Sequence, residues 1–113
     1  MPAGWPDGVA PPGSDGFEAT AVEWFLSELV PHLRGQAAVR RHPVALAVIA
    51  RHVADGAVQG ARDGYRTART ELGTVIPPHA VDDVLTAYRD EGRRLAGAAK
   101  SAELVERALR GTL

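Results

Sequence analysis

The chain has 113 residues, 45% hydrophobic and 24% charged, with 13 basic against 14 acidic side chains and a formal net charge of −1. That length suits one domain and that composition a folded soluble protein, and near-neutrality leaves no global basic field for nucleic acid. There is no cysteine, which excludes a disulfide framework, a thiolate metal site and a cysteine nucleophile.

Aromatic residues make up only 5% of the chain. A core short of rings must be built from Ala, Val and Leu, which favours closely approached helices. No apolar run nears the ~20 residues that a membrane span needs. The N-terminus has no basic region followed by an apolar stretch, so no signal peptide is expected. A cytoplasmic protein with no membrane contact is the resulting expectation.

Residues 1–16 hold Pro2, Pro6, Pro11 and Pro12 among Gly4, Gly8, Gly13 and Gly16. Neither helix nor strand propagates through such a run. The expectation is a disordered Pro/Gly-rich tail ahead of a single helical domain at 17–113. Trp5 and Val9 are its only large apolar groups, and a sharper reading has the segment dock through Trp5.

Ser14 or Asp15 can cap a first helix, and Glu18 falls in its first turn, where the helix dipole favours a carboxylate. Val22, Phe25, Leu26, Leu29, Val30 and Leu33 then recur at helical spacing. Pro31 removes an internal hydrogen bond and disfavours the α conformation at Val30, so the helix should end or kink there. Phe17, Trp24 and Pro31 lie on nearly the opposite side, at seven-residue spacing. A helix apolar on both sides is usually buried on both. These three residues are the candidate protein interface, with Trp24 as its anchor. Packing of Trp24 against the 36–42 connection or the tail is the competing reading.

Pro43 suits the first position of a second helix, which then runs without proline to Leu72, with Gly73 as its stop. Residues 74–78 make a short turn. A third helix opens at Pro78 or His79 and runs to about Arg110, with Ser101 as a place where it could break. Val81, Leu85, Tyr88, Gly92, Leu95, Ala99, Ala102, Glu106 and Leu109 keep a 3-4 spacing in it. In the second helix Leu46, Ala50, Val53, Ala57, Gly60 and Gly64 do the same. The short turn makes the two an antiparallel hairpin. Setting Leu72 opposite His79 brings Gly64 to Tyr88, Gly60 to Gly92, Ala57 to Leu95, Val53 to Ala99 and Ala50 to Ala102. Gly60, Gly64 and Gly92 are therefore expected as helix-packing positions, with close backbone approach offsetting their cost of ~1 kcal/mol each. The expected fold class is all-α: a long antiparallel hairpin plus one shorter N-terminal helix, closed as a three-helix bundle or forming half of a dimeric bundle.

Chemistry-bearing motifs are scarce. Gly-rich phosphate loops, nucleophile elbows and the HExxH pattern are all absent. His52 and Asp55, three apart, share a helix flank, which gives a weak reading as a His-dependent enzyme or metal protein. No catalytic set, metal site or cofactor is assigned. Arg62, Arg66 and Arg69 line one side of the second helix as a possible anion-binding stripe. The leading functional expectation is a non-catalytic helical protein–protein interaction module, working as a homodimer. The alternative is a nucleic-acid or polyanion binder through the arginine stripe, and near-neutral charge counts against nucleic acid.

Overall fold

The computed structural model describes residues 1–113. The chain is all-helical, with α1 at Phe17–Glu28, a 3₁₀ turn at Pro31–Leu33, a short α2 at Ala37–Arg41, α3 at Pro43–Leu72 and α4 at Pro78–Leu109. The expected hairpin is its main feature. α3 opens with Pro43 in its first turn and passes unbroken through Gly56, Gly60 and Gly64 to Leu72. α4 opens with Pro78 in its first turn and passes Ser101 without a break. Between them, the Val75 and Ile76 N–H groups donate to the Leu72 carbonyl and close the turn.

The register at the turn end is the expected one. The Tyr88 ring lies so close to Gly64 that a Cβ there would come within 2.5–2.6 Å of it. Arg69 reaches across to Asp82 at 3.0 Å. Ala68, Val81 and Leu85 form a small core of three buried residues, flanked by Leu72, Ile76 and Tyr88.

The molecule is long and uneven. Its extents are 53 × 30 × 19 Å and its radius of gyration is 16.9 Å, against about 13 Å for a compact chain of this length. The excess length lies in the hairpin. At its base, where α3 begins and α4 ends, twelve buried residues form the main core, and α1 supplies Phe17, Ala21, Phe25 and Leu26 to it. Beyond Ala54 and before Ala102, α3 and α4 continue as a two-helix arm, with the three-residue core at its tip.

Several expectations need correction. Residues 1–16 are laid against the helices in this structure. Trp5 and Val9 belong to the main core, at 8% and 3% exposure. The Trp5 indole donates to the Val9 carbonyl at 3.0 Å, the Ala10 N–H to Thr20 Oγ1 at 2.9 Å, and the Ser101 hydroxyl to the Gly4 carbonyl at 2.6 Å. Gly4 has φ +93°, a left-handed conformation that favours glycine, and lies against the Lys100 side chain. Pro and Gly exclude helix and strand but not a chain of turns stapled by one large ring.

α1 begins after Gly16, with no side-chain cap from Ser14 or Asp15. Its end agrees with the proline argument: Val30 sits at φ −135°, ψ 58°, outside the helix. The 36–42 connection contains the short α2, which the sequence reading did not separate from loop.

The seam on α3 is also rotated from the heptad reading. Leu46, Ala47, Ala50 and Ala54 are buried, and Val53 is 46% exposed. Gly60 and Gly92 do not meet: a Cβ added to either would find no atom within 4 Å. Of the three packing glycines, only Gly64 is held by close approach. The α4 seam positions are all buried or half-buried, although Gly92 borders open space and does not pack on α3.

Candidate functional site

The expected interface on α1 is largely consumed within the chain. Phe17 is 7% exposed, with its ring centroid 5.8 Å from that of Trp5. Trp24 packs edge-on to Phe25 at 5.3 Å, is half-buried against the core, and lies beside Gly8. The chain's own N-terminal segment therefore covers the second apolar side of α1. Pro31 alone of the three remains exposed. It lies in a shallow depression of about 370 Å³ with Leu29, Leu33, Ile49 and Val53. Ile49 and Val53 are 38% and 46% exposed, high values for large apolar side chains in mid-helix.

The arginine stripe is divided. Arg66 pairs with Asp63 on its own helix, and Arg69 pairs with Asp82 across the hairpin. Arg62 pairs with no carboxylate. Arg62 and Arg66 instead join Arg89 and Arg93 of α4 around a groove of about 530 Å³. Its floor is small and apolar, made by Val58, Ala61, Gly92 and Ala96, and Tyr65 and Tyr88 stand at one end. Arg93 is paired with Asp90 at 3.1 Å. Arg89 has no carboxylate partner, and its guanidinium lies 6.0 Å from the Tyr65 ring centroid.

Towards the base the groove continues past Gln59 and Ala99 to Asp55. From Asp55 to Arg66 it follows about three turns, or about 16 Å, of α3. At about 100° per residue these positions lie roughly a quarter-turn round α3 from the core-facing Leu46, Ala50 and Ala54. Sequence reasoning missed Arg89, Arg93, Tyr65 and Tyr88 as groove residues. The signal was present in the register, because pairing Gly64 with Tyr88 sets Arg89 and Arg93 beside Arg62 and Arg66.

One buried charge stands out at the base. Glu106, the polar member of the α4 seam, is 7% exposed. It accepts from Arg51 Nε at 2.6 Å and from Arg110 Nε at 3.1 Å. Burial pushes its pKa up, but hydrogen bonds and charge from the two guanidinium groups together outweigh that and hold it below its ordinary 4.5. The same pair raises the pKa of Arg51, chiefly through the hydrogen bond to Glu106. This is a structural ion-pair network, since both carboxylate oxygens are occupied by the protein's own donors.

His52 and Asp55 are both exposed, and the Asp55 charge acts on Arg51. No three His, Asp or Glu side chains come together in a group that could hold a metal ion. No helix is long and apolar enough to cross a membrane. No protein-family model, curated protein or solved structure matches the chain.

Proposed function

We propose that the chain is a non-catalytic helical interaction module that works as a homodimer, joined through the apolar depression beside the 3₁₀ turn. The observation that carries this reading is the exposure of Ile49 and Val53 next to Pro31 and Leu33. What bears on association is that these apolar side chains adjoin one another, since contiguous exposed apolar patches, not singly exposed residues, mark interaction surfaces. A two-fold dimer would place the same patch on both copies, so each Val53 would be shielded by its equivalent or by Pro31 of the second copy. Burying such side chains contributes about 1.5–3 kcal/mol each when complete.

Light scattering across a range of protein concentrations tests this. The expected particle has twice the 12.0 kDa chain mass, and Val53→Glu returns it to the chain mass with helix content unchanged. A particle of the chain mass at every concentration, or a dimer indifferent to Val53→Glu, rejects the proposal.

A further inference from the structure

We propose that the arginine-rimmed groove of the arm is a binding site for a small organic phosphate with an aromatic body. The site is separate from the depression at Pro31 and does not depend on dimerisation.

Three observations lead to this ligand chemistry. First, the four guanidinium groups of the lining come from both helices, and no Asp or Glu lies among the ten lining residues. Exterior carboxylates, Asp63 and Asp90, occupy Arg66 and Arg93, so Arg62 and Arg89 keep unshared donors. Two guanidinium groups on opposite walls suit a dianion with several oxygens better than a single carboxylate.

Second, the floor has no polar side chain, and Gly92 leaves it open: a Cβ there would meet nothing within 4 Å. An inorganic anion would leave that floor wet, whereas a flat ring would cover it. Third, the Tyr65 ring at the end of the groove already lies beside the Arg89 guanidinium. A ligand ring can stack on Tyr65 while its phosphate accepts from Arg89 and Arg62. The volume, about 530 Å³, lies in the range of small-molecule sites, roughly 300–1,000 Å³.

Arm composition explains why such a site is open. At the base the chain lays α1 and its N-terminal segment over the hairpin, but neither contributes a residue to the lining of the groove. The glycine that looked like a helix-packing residue in the sequence, Gly92, then serves as the bare part of a groove floor. Its helix-propensity cost of ~1 kcal/mol is not offset by any contact inside the chain.

The test compares 1-naphthyl phosphate with inorganic phosphate and with 1-naphthol. The readouts are calorimetry and the ring NMR signals of the chain's two tyrosines, which both line the groove. The expected result is that naphthyl phosphate binds at least tenfold more tightly than either part alone and shifts both tyrosine signals. Arg62→Gln with Arg89→Gln should weaken it tenfold or more with thermal stability unchanged. Gly92→Leu should fill the floor and abolish binding while keeping the helix.

Equal affinity for 1-naphthol would mean a merely apolar surface, and equal affinity for phosphate a merely cationic one. Either result overturns the proposal, as does binding that leaves the tyrosine signals in place or survives the double arginine substitution.

Discussion

Glu106 shows how one polar side chain is held inside an apolar seam. Its two carboxylate oxygens are each satisfied by a guanidinium, from Arg51 across the hairpin and from Arg110 one turn on. Removing the carboxylate leaves Arg51 half-buried and unpaired, so Glu106→Ala should cost about 1–3 kcal/mol in denaturant unfolding. The pH dependence follows from the direction of the shift. The folded pKa lies below the ordinary 4.5, so the stabilisation is fully present above 4.5 and is lost as pH falls through the folded value. Glu106→Gln should flatten the acid limb of the stability curve below pH 4.5 and leave the slope near neutrality unchanged.

The glycines separate at the same scale. Gly60→Ala and Gly92→Ala add a methyl group into open space and should each stabilise by about 0.5–1 kcal/mol through helix propensity. Gly64→Ala drives the Tyr88 ring off the α3 backbone. It should be at least about 1 kcal/mol less stable than Gly60→Ala in the same thermal scan.

At the scale of elements, proline and glycine placement was the most legible part of the sequence. Pro43 and Pro78 mark the first turns of α3 and α4, Gly73 follows the last residue of α3, and Pro31 ends the run of α1. These are local backbone constraints, so they can be read without knowing what packs where. The N-terminal segment was not legible in the same way. Its order depends on tertiary contacts that no local pattern announces: Trp5 on Phe17 of the next helix, and Gly4 beside Lys100 near the other end of the chain.

Tertiary contacts of the same kind hid the fate of α1. Phe17 and Trp24 were correctly marked as a second apolar side, but what covers them is the chain's own first ten residues. Trp5→Ala should therefore cost about 3–5 kcal/mol. Compared with Trp5→Phe, in which Trp24 is likewise the sole tryptophan, deleting residues 1–10 should raise the exposure of Trp24, read as a red shift of its fluorescence. An unchanged spectrum and melting temperature after that deletion would contradict the packing described.

Over the whole molecule, the hairpin and its register were legible because a 3-4 pattern and a short turn leave few alternatives. The face of each helix was less so. A heptad reading of α3 put Val53 inside and passed over Ala54, and the structure has the reverse, at 46% and 1% exposure. Alanine gives little contrast in a sequence pattern, so a rotation of one position along an Ala-rich helix changes few letters. That rotation moved both candidate surfaces: Val53 came out beside Pro31, and Arg62 and Arg66 turned towards Arg89 and Arg93.

The molecule that results has a base consolidated by twelve buried residues and an arm held by three. Local opening should follow that division, because opening free energy tracks buried apolar contact.

Hydrogen exchange resolved along the chain puts this division to the most direct test. Amides of α3 before Ala54 and of α4 beyond Ala102 should exchange slowest, with the Trp5 and Val9 turns partly protected and the mid-arm amides around Gly60 and Gly92 clearly faster. Uniform protection along both long helices, or full exchange of residues 1–10 at the earliest time point, would contradict the account.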